Sequence, residues 1–355
     1  MADRKKVCVI FGGKSPEHDI SLKSVTSVIN NLDKQKYDII KIGITKDGKW
    51  YLYSGDTDKI ESGIWEKETE FLKRAVISPD SEDKAILIFE EKGITKIHPD
   101  IVFPVLHGEY GEDGTIQGLL ELAGLKYVGM GVLGSSVGMD KSFSKIIFKN
   151  AGIPQADWVL VKTERDFGDY IKEIEEKIGY PCFVKPCNTG SSVGVGKAHD
   201  RDELLKSLSE AAKFDRKILV EEFIAGHEVE CAVLGNINPK AAEVGEILPT
   251  VEFYDFDAKY NDNSTVLKIP AEVSDETREK IRELSLRAFS AIDGQGLARV
   301  DFFVKYENDE VILNEINTMP GFTNISMYPK LWDAKGVGYR ELLDELISLG
   351  EKRVK

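Results

Sequence analysis

The residues best suited to chemistry lie in Arg299-Val300-Asp301 and in the later run Leu313-Asn314-Glu315-Ile316-Asn317-Thr318-Met319-Pro320-Gly321. Apolar residues alternate around them (Val300, Phe302, Leu313, Ile316), which is the period of a strand. Asp301, Glu315 and Asn317 are therefore predicted to converge on one face of two neighbouring strands. Two carboxylates and an amide are hard oxygen ligands, a set that suits Mg²⁺ shared with substrate phosphates. Arg299, two residues before Asp301, would meet an anion held by such a metal. The competing reading is an edge hairpin with solvated carboxylates.

A second group could handle phosphate. Asn188-Thr189-Gly190-Ser191-Ser192-Val193-Gly194 has neither the Walker pattern nor G-x-G-x-x-G spacing, yet its small residues let backbone N–H groups approach an anion. A plain tight turn reads the same way. Lys185 and Lys141 would add point charges. Lys185 stands inside the apolar run Pro181 to Pro186, where a charge needs a partner. Glu221, Glu222 and Glu228 follow an apolar strand and could accept from ribose hydroxyls, or could simply be exposed acids.

These groups need elements to hold them. Val7 to Phe11 reads as a buried strand, Glu17 to Leu32 as an amphipathic helix and Tyr37 to Ile44 as a second strand, a βαβ opening that predicts a parallel sheet. Lys46-Asp47-Gly48-Lys49 is a hairpin turn into Trp50 to Tyr53. Residues 55–98 are charged and weakly patterned, an elaboration on that sheet. The strand Ile101 to Leu106 ends in His107-Gly108-Glu109-Tyr110-Gly111-Glu112-Asp113-Gly114, a loop placed where open α/β sheets bind ligands. A second unit is expected from Gly129, opening with a helix that carries Met139-Asp140-Lys141. A third is expected from Ile218-Leu219-Val220-Glu221-Glu222. The helices Ser274 to Ile292 and Tyr339 to Leu349 complete the pattern.

With 355 residues the chain can build two or three cores. A net charge of -14 argues against a nucleic-acid or anionic-membrane partner, though not against small anions gripped locally. No apolar run approaches a membrane span of ~20 residues, and no signal-peptide core follows Met1, so a cytoplasmic location is expected. Cys8, Cys182, Cys187 and Cys231 lack zinc-like spacing and read as reduced structural thiols, with Cys187 near enough to the glycine-rich loop to be reactive.

Taken in order, Gly12-Gly13-Lys14-Ser15-Pro16-Glu17-His18, His107-Gly108-x-x-Gly111-Glu112-Asp113-Gly114, Met139-Asp140-Lys141, Lys185-Pro186, Gly190-Ser191-Ser192-Val193-Gly194, Arg299-x-Asp301 and Asn314-Glu315-Ile316-Asn317-Thr318-x-Pro320-Gly321 form a familiar series. The chain resembles the D-alanine–D-alanine ligases of the ATP-grasp superfamily from about residue 5 to 350, with 55–98 contributing little.

The resemblance implies an α/β and α+β fold. An N-terminal open parallel α/β domain (1–129) would precede a two-lobed ATP-grasp fold, with a central lobe at 130–220 and a C-terminal lobe at 221–355. It implies ATP and two Mg²⁺ (or Mn²⁺), D-alanine as substrate, and a homodimer. Lys141, Lys185 and Ser192 would bind ATP phosphates, with Glu221 and Glu228 on the adenosine side. Asp301, Glu315 and Asn317 would hold the metals. Arg299 and the Gly321 N–H would stabilise the oxyanion formed as an amine attacks an acyl phosphate.

Glu17 would pair with the first D-alanine's ammonium, linked to Ser191 and Tyr260, and His107 would line that pocket. A carboxylate at a helix start is also a good cap. Ser326 and Met327 would face the second D-alanine's carboxylate. The stretch around 250–265, with its Lys259-Tyr260 pair, matches a mobile lid that keeps water from the acyl phosphate. Lys-Tyr there disfavours D-lactate as second substrate, and Met327, where serine-specific relatives tend to carry arginine, favours D-alanine over D-serine. Three other readings compete. They are a D-alanine–D-serine ligase, a different ATP-grasp carboxylate–amine ligase, and a non-catalytic nucleotide-binding module, which would need no Arg299. A dinucleotide-dependent dehydrogenase fails on the missing third glycine of its fingerprint.

Overall fold

A computed structural model describes residues 4–248 and 266–353. Val7 to Phe11 are fully buried, as expected of a strand covered on both faces. That strand, β1 (Lys5–Gly12), pairs in parallel with β2 (Tyr37–Ile44) and β7 (Ile101–Pro104). The helix His18–Asn31 crosses from β1 to β2 and packs Leu22, Val25 and Val28 against the sheet.

The turn at Thr45 to Lys49, closed by Gly48 in a left-handed conformation, leads into β3 (Trp50–Tyr53). The weakly patterned stretch then supplies β4 (Leu72–Ile77), β5 (Ile86–Glu90) and β6 (Gly93–Ile97), all antiparallel. The sheet order is β6-β5-β4-β3-β2-β1-β7. It is thus mixed, with a parallel part of three strands, where the sequence led us to expect a parallel sheet. The alternation in 55–98 is hard to see because β6 is almost wholly exposed. One residue there is decisive: Trp65 is fully buried, with its ring 5.0 Å from that of Phe11 and 6.0 Å from that of Tyr53.

A four-stranded antiparallel sheet follows, ordered β10-β9-β11-β8, from β8 (Trp158–Lys162), β9 (Cys182–Pro186), β10 (Gly196–Ala198) and β11 (Lys217–Glu222). Helices Gly168–Lys177 and Arg201–Ala211 cover it through Ile171, Ile174, Leu204 and Leu208. The strand containing Ile218 to Glu222 therefore closes this sheet, whereas the sequence pattern suggested that it opens the third unit. Its neighbours on both edges are β8 and β9.

The last sheet is five-stranded and antiparallel, ordered β14-β13-β12-β15-β16: β12 (Gly226–Gly235), β13 (Lys240–Leu248), β14 (Val266–Lys268), β15 (Gly296–Lys305) and β16 (Val311–Asn317). The helix Asp275–Ala291 buries Ile281, Leu284, Ala288 and Phe289 against it. The C-terminal helix Tyr339–Glu351 returns to the first sheet, where Leu342, Leu343, Leu346 and Ile347 join the core containing Val7 and Val9. Lys5 pairs with Glu351 at 2.7 Å, and the Tyr37 hydroxyl donates to Asp344 at 2.7 Å.

The segment expected as one helix through Met139-Asp140-Lys141 is two, Val132–Met139 and Lys141–Asn150. Asp140 breaks them with an extended ψ of 99° and caps the second, accepting from the N–H groups of Ser142 and Phe143. Lys217 pairs with the same carboxylate. Among the described residues no helix is long and apolar enough to cross a membrane.

Candidate active site

Strand register explains the central face. Asp301 lies opposite Glu230 on β12 and opposite Glu315 on β16, and Arg299 lies opposite Asn317. Arg299 donates to both Asp301 oxygens, from Nε at 2.8 Å and from Nη2 at 2.7 Å, and its Nε lies 2.9 Å from Glu230. Asn317 Nδ2 donates to Asp301 Oδ2 at 2.9 Å. Charge-assisted bonds of this bidentate kind fix orientation as well as compensating charge.

Lys141 Nζ lies 3.4 Å from Glu315 and donates to the Thr189 carbonyl at 2.9 Å. Among the described residues no three His, Cys, Asp or Glu side chains form a metal cluster. The set of two carboxylates and one amide on a cavity wall nevertheless fits Mg²⁺, which commonly takes one or two protein carboxylates and completes its shell with phosphates and water.

These residues line a cavity of about 390 Å³ together with Lys185, Ser191, Ser192 and Glu228. Lys185 projects from β9, and Glu221, diagonal to it on β11, lies 2.7 Å from its Nζ. The other Glu221 oxygen lies 2.5 Å from Lys145, a lysine only 2% exposed on the helix Lys141–Asn150. Burial opposes ionisation of Glu221, but Lys145 and Lys185 outweigh it and hold the carboxyl down at about 2. Burial likewise opposes the Lys185 charge, and Glu221, Glu315 and Glu228 overcome it, raising that pKa. Glu221 is not among the described residues that line the cavity, so the structure separates it from Glu228, which is. In the loop above, Ser191 and Ser192 take left-handed φ values of 48° and 60°, and Asn188 is tied down by Asp215.

At the other end, Ser191 Oγ donates to Glu17 Oε1. Glu17 occupies the N-cap position of its helix, yet its side chain makes no capping bond. A methyl group on Gly108 (φ 69°) or on Gly190 would meet Glu17 Oε2 where it now lies, so both glycines let their loops come close to this carboxylate.

His107 is buried, with Nδ1 3.1 Å from the Met319 carbonyl and Nε2 2.9 Å from Ser24 Oγ. A carbonyl only accepts, so Nδ1 carries the proton and Nε2 accepts from Ser24. Burial lowers the His107 pKa against the pull of Glu17, keeping the ring neutral. Glu112 completes the group, accepting from the N–H of Gly108 at 2.8 Å and of Met319 at 2.9 Å. Burial, and then the charge of Glu17, push its carboxyl up to about 8, against those two N–H groups and Arg299. The Met319 peptide is thus held at both ends by the His107–Glu112 loop.

Of the two residues expected at the second substrate, Met327 lies in the core and Ser326 lies beside Gly321. Met327 is 5% exposed and packs in the core over Gly245, because the short helix Met327–Asp333 turns Met327, Tyr328, Leu331 and Trp332 inward. Ser326 turns its hydroxyl back to Thr323, accepting from its N–H at 3.0 Å. A Cβ at Gly321 would come 3.1 Å from Ser326 Oγ. Lys259, Tyr260 and the expected lid lie outside the described residues.

Sequence reasoning overlooked Lys145, Glu112, Glu230 and the aromatic wall of Phe183, Phe223, Phe303 and Tyr306. Two of these carried a signal. Lys145 is four residues after Lys141, on the same helical face, and Glu230 is two after Glu228, on the same strand face.

Comparison with known proteins supplies the remaining observation. The model of the D-ala D-ala ligase N-terminus matches residues 6–130, and that of the D-ala D-ala ligase C-terminus matches residues 147–348. The chain is 53% identical to the D-alanine--D-alanine ligase of Acetivibrio thermocellus, over 99% of this chain and 97% of that one. Among solved structures it resembles the VanG D-Ala:D-Ser ligase of Enterococcus faecalis, with a TM-score of 0.89 and 38% identity over 98% of this chain and all of that one. It also resembles the D-alanine--D-alanine ligase of Bacillus anthracis complexed with ATP, with a TM-score of 0.73 and 29% identity over 98% of each chain.

Proposed function

The chain belongs to the D-alanine–D-alanine ligase family, and on that premise we propose how its residues join two D-alanines at the expense of ATP. It is an ATP-dependent ligase with the ATP-grasp fold. The observation that carries the reading is one cavity that brings Lys141, Lys185 and the 190–192 loop together with Arg299's partner Asp301, Glu315 and Asn317. Its loop runs on to Glu17 through Ser191.

In this reading Glu17 receives the ammonium of the first D-alanine, and His107 shapes the pocket behind it. Lys141, Lys185 and the Ser191–Ser192 backbone hold the nucleotide phosphates, with the aromatic wall and Glu228 on the adenosine side. Asp301, Glu315 and Asn317 would hold two Mg²⁺ or Mn²⁺, which neutralise phosphate charge when bound. The first D-alanine's carboxylate attacks the γ-phosphorus, ADP leaves, and an acyl phosphate forms. The second D-alanine's amine, as the free base, then attacks its carbonyl; the tetrahedral adduct expels inorganic phosphate, and the proton lost by the amine goes to that phosphate or to solvent. Arg299 and the Gly321 N–H face the oxyanion of that step.

Phosphorylating a carboxylate needs water kept away, which the enclosing loops serve. The product would feed peptidoglycan precursor synthesis in the cytoplasm, and a second copy of this chain is the proposed partner. The domain division at about 129 belongs to the same proposal, with the second boundary placed after β11, which the second sheet keeps whole.

The test is phosphate release from Mg-ATP with D-alanine alone, then with D-serine or D-lactate added, with products identified by mass. D-Ala-D-Ala as the main product throughout supports the reading. A dominant D-Ala-D-Ser product would keep the mechanism and move the second-site assignment. No phosphate release dependent on a D-amino acid would sink it.

A further inference from the structure

Lys145 is a buried cation that the mechanism above does not use. It is 2% exposed, does not figure among the described residues lining the nucleotide cavity, and lies 2.5 Å from Glu221. Buried lysines are costly unless paired. A single pair, Glu221 with Lys185, would already satisfy local charge. The structure has a triad in its place, with two cations on one carboxylate.

We propose that Lys145 is a positioning residue for nucleotide binding: it takes up the charge of Glu221, so that Lys185 keeps net positive charge to offer the phosphates. The inference rests on the assignment of Lys185 to the phosphates.

The charge arithmetic is simple. Lys145, Glu221 and Lys185 carry +1, -1 and +1, leaving +1 beside the cavity. Without Lys145 the remaining pair sums to zero, and an anion approaching Lys185 meets a neutralised site. Removing the Glu221 charge as well restores +1. Geometry points the same way. The two lysines bind different oxygens of Glu221, so Lys145 fixes the rotation of the carboxylate that Lys185 leans on. Lys185 also donates to Asn314 Oδ1 at 3.2 Å, which holds its ammonium toward β16. Lys141 and Lys145, one helical turn apart, then act on the phosphates by different routes, one from the cavity wall and one through Glu221.

The experiment is calorimetric titration of the full chain with Mg-ADP and, separately, with adenosine. Lys145→Met is expected to weaken ADP binding about tenfold and leave adenosine unchanged. The double variant Lys145→Met/Glu221→Gln is expected to recover most of the ADP affinity, which a purely structural role for Lys145 would not produce. If the single variant does not fold, the double variant carries the test alone. Three results would overturn the inference: unchanged ADP affinity in Lys145→Met, equal weakening of ADP and adenosine, or a double variant that binds ADP poorly. Lys185→Met separates the two levels. If it binds ADP normally, the phosphate assignment itself fails. If it binds ADP weakly while Lys145→Met does not, only the present inference fails.

Discussion

Two carboxylates in this molecule, the buried Glu221 and the half-buried Glu112, have opposite fates. Glu221 is held down at about 2 by Lys145 and Lys185, whereas Glu112 is pushed up to about 8 by burial and the neighbouring charge of Glu17. Both accept two short contacts, so counting hydrogen bonds does not separate them. The difference lies in what surrounds them. The end proposed for the nucleotide places lysines on its acids, as suits a site for a polyanion. The end proposed for the first D-alanine gathers Glu17, Glu112 and a neutral His107, an environment that favours an incoming ammonium over an anion. Arg299 lies between, bound to Asp301 and Glu230 and felt by Glu112.

Removing that intermediate cation is the strongest way to break the contrast. Arg299→Ala is expected to lower kcat by about 10²–10³-fold while Mg-ADP binding stays measurable by calorimetry. Near-normal turnover would show that Arg299 serves only to compensate Asp301 and Glu230. The same variant should lose about 3–5 kcal/mol of stability, because two acids are left without their cation, and this is measurable by denaturant unfolding.

The next largest effect belongs to the end proposed for D-alanine alone. Glu17→Gln keeps an acceptor for Ser191 but removes the charge for an ammonium. The KM for D-alanine should rise about 10–100-fold, with the KM for ATP unmoved. A matching rise in the ATP KM would mean that the two ends do not act separately.

Stability against pH sharpens the contrast further. Glu221 titrates at about 2 in the fold against an ordinary 4.5, so between those values the unfolded chain binds more protons and stability rises with pH. Its contribution is present above 4.5 and is lost as the pH falls toward 2. Glu112 has the opposite sign. With a folded value of about 8, the native state binds more protons between 4.5 and 8, and stability falls as pH rises through that window. Melting curves should therefore show Glu221→Gln flattening the acid limb and Glu112→Gln flattening the neutral one. The reverse assignment would contradict the charge environments described here.

How much of this was legible in the sequence follows from how local each feature is. The strands carrying Asp301, Glu315 and Asn317 were readable because alternation set those side chains on one face, and pairing then brought Glu315 opposite Asp301. The βαβ opening was readable for the same reason. Strands β4 to β6 were not: the edge strand β6 is almost wholly exposed, β4 and β5 each bury only two residues (Ala75 and Ile77, Ile86 and Ile88), and the burial of Trp65 depends on rings from elsewhere in the chain. Strand β11 was assigned to the wrong sheet because an apolar strand does not name its neighbours. The roles of Glu112 and Glu221 depend on contacts between distant segments, such as Glu112 with Met319, which no local pattern encodes.

Met327 belongs to neither end, and it supplies the smallest predicted effect. Its side chain is packed with Leu331 over Gly245, where a Cβ would lie 2.6 Å from the Met327 sulfur. A residue so placed contributes by filling volume. Met327→Leu conserves that volume and should cost less than about 1.5 kcal/mol, leaving the ratio of kcat/KM for D-alanine to that for D-serine unchanged. A shift in that ratio would mean that Met327 bears on second-substrate selection, by contact or through the core. Since one hydroxyl in a pocket is worth only about 1–3 kcal/mol, even a small change in core shape transmitted through Ile247, which lines the cavity and packs in the same core, would be detectable in the ratio. An unchanged ratio therefore places second-substrate selection outside Met327's reach.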